Sequence, residues 1–265
     1  MMKFMRNGNV LFLILLAVAL FAALSFAVTQ SGRGGGNNIS QDQAELAVSQ
    51  IMQFGSSITS TIERLRLSNG CRLTQISFAS DSDRDGNWFD TDDLYHNTSS
   101  PTDFSCHVFH PNGGNQTLLE IEDDWLDSTH SASSIYKEVF FTGGTCVYAV
   151  GTGAQISGQE CWRVGDDAEL MFFINALKDP ICKNINFRWS GLERIHLEFN
   201  TLHGDPDAVT AAGRFTGSFR VGSNSVVDSS TGGFHGKNFG CLQSINDLPG
   251  YPTGSNSLFY VLVPR

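Results

Sequence analysis

Between Val10 and Val28 the chain reads VLFLILLAVALFAALSFAV, 19 residues with no charge, no Gly and no Pro, and with Ser25 as their one polar member. No other stretch limits the possible folds as strongly. A helix rises about 1.5 Å per residue, so this run spans roughly 28 Å, close to the hydrocarbon core of a bilayer. Lys3, Arg6 and the amino terminus precede it, and only Arg33 follows closely. That asymmetry places the N-terminus in the cytoplasm and everything after residue 40 outside.

Three fates are open to the segment. Ser25-Phe26-Ala27 is a small-x-small site, so a signal peptidase could cut after Ala27. The segment could remain as an uncleaved signal anchor. It could also be cut after Gly8, leaving the apolar helix on a mature chain that starts at Asn9. The run exceeds the usual signal-peptide core of about 7–15 residues, which favours retention. This divides the chain into a leader (1–8), a transmembrane helix (9–30), a Gly-rich linker (31–39) and an extracytoplasmic domain (40–265).

The linker contains SGRGGGNN, and three successive glycines are costly inside a helix. A second helix starts at Ser40, which forms a capping-box pattern with Gln43. Ala44, Val48, Ile51, Ile58, Ile62 and Leu65 follow as a helical stripe with Gly55 as its gap, and Asn69-Gly70 is the stop. This stripe is expected to pack on a sheet; packing against a partner helix in an assembly is the sharper alternative.

After Cys71, short apolar runs alternate with turns. Thr74–Phe78, Cys106–Phe109, Leu118–Ile121, Val139–Phe141, Cys146–Val150, Ile195–Phe199 and Leu258–Val263 read as strands. The run 168–177, AELMFFINAL, fits helix or strand; Asp166 or Asp167 could cap it, so helix is expected. Asp179-Pro180 opens a short helix through ICKNIN. The fold class is therefore α+β: a transmembrane helix, a glycine break, and a long helix packed on an antiparallel sheet.

The 265 residues carry a formal charge of −10 and no basic run, which argues against nucleic acid as a partner. Cys71, Cys106, Cys146, Cys161, Cys182 and Cys241 all lie beyond the apolar segment. An even number in an exported region reads as up to three disulfides, with about 15 pairings open.

A short basic leader, a Gly and about 20 apolar residues at the mature N-terminus resemble type IV pilins and type II secretion pseudopilins. Asn9 and Leu13 stand where that family usually carries Phe and Glu, and minor tip-type pseudopilins can lack the Glu. SCHVFHPNGG (105–114), CVYAVGTG (146–153), ICKNIN (181–186) and LFYVLVPR (258–265) are similar to pilin-like bacterial proteins with the same kind of N-terminus. The resemblance implies an inner-membrane anchor, processing at Gly8 and Asn9, and packing with other pilin-like subunits through the N-terminal helix. It implies no activity.

Asp81 to Asp92, DSDRDGNWFDTD, carries the one metal-like pattern. Asp81, Asp83 and Asp85 alternate, Gly86 follows, Asn87 offers its backbone carbonyl, and Asp92 closes the twelve-residue loop. Calcium is the candidate cofactor, bracing a loop rather than catalysing; Asp90 and Asp93 are substitute ligands. Glu120, Glu122, Asp123, Asp124 and Asp127 surround Trp125, a grouping that fits a glycosidase subsite or an exposed edge. His107 and His110 would fall on opposite faces of a strand, a poor arrangement for shared ligation. H-E-x-x-H, G-x-S-x-G and phosphate-loop motifs are missing, and GTGAQISG (151–158) lacks the Lys a phosphate loop needs. The expectation is a non-enzymatic, pilin-like or minor pseudopilin-like subunit, single-pass in the bacterial inner membrane, with its domain in the periplasm or at the cell surface. The alternative is an exported, calcium-braced binding module or adhesin that uses exposed Trp to recognise glycans.

Overall fold

A computed structural model describes residues 12, 14–21, 39–81, 94–147, 150–151, 168–191, 196–198, 213–219, 226–227, 234, 236–244 and 252–265. Helix α1, Gln41–Ser68, starts where the capping box predicts. Ser40 Oγ accepts from Gln43 N at 3.3 Å, and Gln43 Oε1 accepts from Ser40 N at 3.1 Å. It ends at Asn69, followed by Gly70 in the left-handed region at φ 68°. The predicted stripe is its buried face: Ala44, Val48, Ile51, Ile58, Ile62 and Leu65 are all fully buried. Burying each large aliphatic side chain is worth about 1.5–3 kcal/mol, so this stripe is what holds the helix to the sheet.

The sheet has six strands: β1 Val139–Val147, β2 Glu169–Leu177, β3 His196–Glu198, β4 Val226–Val227, β5 Phe239–Ser244 and β6 Asn256–Val263, in the order β3-β5-β6-β2-β1-β4. The central four, β5, β6, β2 and β1, pair antiparallel with one another. This is the expected antiparallel sheet, to which the short edge strands β3 and β4 add by running parallel to β5 and β1.

Side chains alternate across the sheet, and both faces are covered. Leu170, Phe172, Ile174, Leu258 and Leu262 face the α1 side, while Met171, Phe173, Phe259 and Val261 form a second core with Phe140 and Phe234. This corrects the reading of 168–177. All nine residues of β2 are buried. A strand covered on both faces shows a continuous apolar run with no period-2 signal, and its length alone does not separate it from a buried helix.

Other expectations also change. Val139–Phe141 and Cys146–Val150 belong largely to one strand, β1, whose register shifts between Thr142 and Thr145 around Gly143 and Gly144. Thr74–Phe78 and Cys106–Phe109 are joined only by an isolated parallel bridge between Ser77 and His107. Leu118–Ile121 forms no strand. Strand β5 went unpredicted because Gly240, Gln243 and Ser244 dilute its pattern.

Helix α2, Asp179–Ser190, carries Pro180 in its first turn and stops at Gly191 with φ 68°. Cys182 on its inner face is bonded to Cys241 on β5, and Cys71 after α1 to Cys106. Cys146 is also disulfide-bonded, with its partner outside the described residues, and none of the described cysteines is free. Cys161 lies outside the described residues.

Phe12 and residues 14–21 are helical and exposed. Among the described residues, no helix is long and apolar enough to cross a membrane. Most of the predicted 9–30 helix, the processing pair Gly8 and Asn9, and the linker up to Asn38 lie outside the described residues.

Candidate functional site

A largely buried group of charged and polar side chains lies at the start of β1. Glu138 immediately precedes the strand, Tyr95 approaches from the segment after residue 93, and Arg214 arrives from a segment that bonds to the same strand through Phe215 N and Phe141 O at 3.0 Å. Arg214 donates from Nε to Glu138 Oε1 at 2.8 Å and from a terminal nitrogen to Oε2 at 2.7 Å. The planar guanidinium fork matches a carboxylate in this way, and two parallel charge-assisted bonds fix orientation as well as charge.

Tyr95 donates its hydroxyl to Glu138 Oε1, and the Tyr95 hydroxyl oxygen in turn accepts from Phe141 N at 3.2 Å. Arg214 also lies over the rings of Phe140 and Tyr95, at 5.5 and 5.9 Å from their centroids. Burial, reinforced by the Glu138 carboxylate, pushes the Tyr95 hydroxyl well above its usual pKa. Burial disfavours the Arg214 charge, but its bonds to Glu138 outweigh that and raise its pKa. At neutral pH Tyr95 therefore remains a donor and Arg214 a cation, both directed at one carboxylate.

Above this cluster lies a cavity of about 260 Å³, walled by Phe78, Leu94, Leu119, Val139 and Phe141. Tyr95, Glu138 and Lys137 supply its polar lining. Small-molecule sites commonly start near ~300 Å³, so this volume suits a single side chain or a comparable apolar group. Lys137 holds φ 64°, outside the usual range for a side-chain-bearing residue, and its ammonium pairs with Asp123. Ser80 and Leu118 also line the cavity.

Of the residues expected to bind or substitute in binding calcium, one lies among the described residues. Asp81 is half-buried, while Asp83, Asp85, Asn87, Asp90, Asp92 and Asp93 lie outside the described residues. Among the described residues no group of three or more His, Cys, Asp or Glu is arranged to hold a metal.

The acidic cluster is resolved into its parts. Trp125 is buried, and its carbonyl accepts from Lys178 N at 2.9 Å. Leu126 bridges to Leu177, and Asp127 Oδ1 caps a short turn by accepting from Thr129 N at 3.0 Å. Trp125 is therefore a core anchor and offers no stacking surface for a sugar, whereas Glu120, Glu122, Asp123 and Asp124 face solvent. Trp88 and Trp162 lie outside the described residues, as do residues 152–158 of the Gly-rich run.

His107 and His110 do not occupy opposite faces of a strand. Their rings are 6.3 Å apart, with Phe104 stacked on His110 at 4.2 Å and edge-on to His107 at 5.1 Å. His107 is fully buried and its Nδ1 has no hydrogen-bond partner. Burial, with His110 and His96 nearby, lowers its pKa to about 4.

Nothing local in the sequence singles out Tyr95, Glu138 or Arg214. Each is an ordinary residue type at an unremarkable position, and the separations of 43 and 76 residues carry no motif. No family model, curated protein or solved structure matches this chain.

Proposed function

We propose that the chain is a non-enzymatic, membrane-anchored structural subunit, pilin-like or minor pseudopilin-like in plan. One observation carries this reading. Phe12, Ile14, Leu15, Leu16, Val18, Leu20 and Phe21 lie on one helical stretch and are 48–72% exposed. The folded domain, by contrast, covers its apolar side chains on both faces of the sheet. An uncovered helix of this composition is stable only in lipid or against neighbouring helices.

The long capped helix α1 on an antiparallel sheet core supports the same plan, as does the disulfide bracing expected of an exported domain. In this reading residues 10–28 anchor the subunit in the inner membrane, the domain lies outside, and assembly proceeds by packing of apolar helices. Mass spectrometry of the mature N-terminus tests it. A chain starting at Asn9 and resisting alkaline extraction from membranes is expected. A chain starting at Val28 and recovered in the soluble exported fraction would overturn the proposal.

A further inference from the structure

Helix α1 gives the domain two poles. At its start, Gln41 Nε2 donates to Asn184 Oδ1 at 3.2 Å, and the strand that leads into α2 is bonded to the 125–127 segment through Lys178 N and Trp125 O. The exposed carboxylates of Glu120, Glu122, Asp123 and Asp124 therefore belong to the pole where α1 begins. Lys137 pairs with Asp123, and Glu120, Glu122 and Asp124 form no ion pair among the described residues.

The opposite pole lies ~38 Å away along the helix, 25 residues at 1.5 Å each from Gln41 to Arg66. There a groove of about 500 Å³ is lined by Arg66, Arg72, Leu67, Leu73 and Cys71, with Glu63 as its one carboxylate. Neither guanidinium forms an ion pair among the described residues. Leu67 is 84% exposed, the most exposed large apolar side chain of the described domain. In a chain of formal charge −10, a groove with two unpaired arginines around an uncovered leucine is locally opposite in sign to the molecule as a whole.

We infer that this groove receives the Glu120–Asp124 segment of a second copy of the chain, so that copies stack head to tail along the direction of α1. The contact is heterologous: two different surfaces, at opposite ends of one molecule, meet in successive copies. Such contacts propagate instead of closing on themselves as a two-fold dimer. Arg66 and Arg72 supply the charge complement and the register. Leu67 and the half-exposed Leu118, which borders the acidic segment, supply apolar area. The inference concerns the folded domain and does not depend on where the N-terminus is cut.

The test is sedimentation velocity of the full chain in mild detergent at low salt, over a range of protein concentrations. Wild type is expected to form concentration-dependent oligomers that weaken as salt is raised. Arg66→Glu/Arg72→Glu and, separately, Glu122→Lys/Asp124→Lys should each raise the dissociation constant at least about tenfold. The four substitutions combined reverse both surfaces and should restore association to within about threefold of wild type. Circular dichroism and intact disulfides establish that each variant is folded. Three results would overturn the inference: wild type with one copy per micelle at every concentration, pairwise variants that associate as wild type does, or a quadruple variant no better than the pairs. The second would assign association to the apolar helix alone.

Discussion

Replacing Arg214 with Met isolates the energetics of the buried cluster. The Arg214 side chain is 7% exposed and that of Glu138 is 21% exposed, so solvent screens the pair only slightly. Met preserves much of the aliphatic packing against Phe140 and removes both bonds to Glu138. The carboxylate is then left beneath apolar walls with Tyr95 as its remaining side-chain donor. Removing one partner of a buried pair costs about 3–5 kcal/mol, most of it the penalty of an uncompensated charge. The Tyr95 bond and the residual exposure of Glu138 put the expected value at the lower end, about 3 kcal/mol.

At ~2–4 °C per kcal/mol for a domain of this size, the melting temperature should fall by ~6–12 °C. The assay is thermal unfolding in mild detergent, followed by circular dichroism with the disulfides intact. Glu138→Leu alone should cost a similar amount, since it leaves the guanidinium buried. The double variant should cost at least about 2 kcal/mol less than the two singles added together. Strict additivity, or an Arg214→Met cost below about 1 kcal/mol, would refute the argument that this pair is desolvated and coupled.

Further outcomes follow from other parts of the fold. Cys182→Ser/Cys241→Ser opens a bridge with a sequence separation of 59, and chain entropy for a loop of that length is worth ~4 kcal/mol; a melting temperature within 2 °C of wild type would refute it. Non-reduced peptide mapping should return Cys71–Cys106 and Cys182–Cys241, with Cys146 in a further bridge rather than free. The folded His107 has its pKa lowered to about 4, so the unfolded chain takes up that proton first. Stability from this residue is complete above pH ~6.5 and declines towards pH ~4, by at most about 3 kcal/mol. A pH-resolved melt of His107→Phe should be flatter than wild type across that window, and parallel curves would sink the claim. At Gly55 an added Cβ would lie 2.7 Å from the Tyr260 ring, which stacks on Phe172 at 5.3 Å, so Gly55→Leu should destabilise by about 1–3 kcal/mol despite its higher helix propensity; a raised melting temperature would count against this packing. If the Asp81–Asp92 loop holds calcium, Asp83→Ala should lose the calcium-dependent thermal shift of wild type, and equal shifts would remove the loop as a site.

Local signals made α1 readable from sequence. Ser40 and Gln43 sit within three residues of each other, the apolar stripe repeats every turn, and Asn69-Gly70 closes the helix, so no distant contact was needed to place it. The start of α2 at Asp179-Pro180 was legible for the same reason. The apolar run at 10–28 likewise stands out from composition alone. Six cysteines beyond it announced disulfides, and Cys71–Cys106 and Cys182–Cys241 are formed.

Tertiary contacts decided the rest. β2 is a strand because β1 and β6 flank it and both faces are covered; its own residues satisfy either a buried helix or a buried strand. Cysteine pairing depends on which elements meet, so Cys182 on α2 found Cys241 on β5 across 59 positions that carry no pairing signal. Trp125 became a core residue once Leu126 bridged to Leu177, although the acidic residues around it suggested a surface. Tyr95, Glu138 and Arg214 mean little individually and form a charged cluster only where β1 gathers them. Periodicity and capping act over a few residues and are written in the chain; burial on two faces and the pairing of charges depend on neighbours that folding alone brings together.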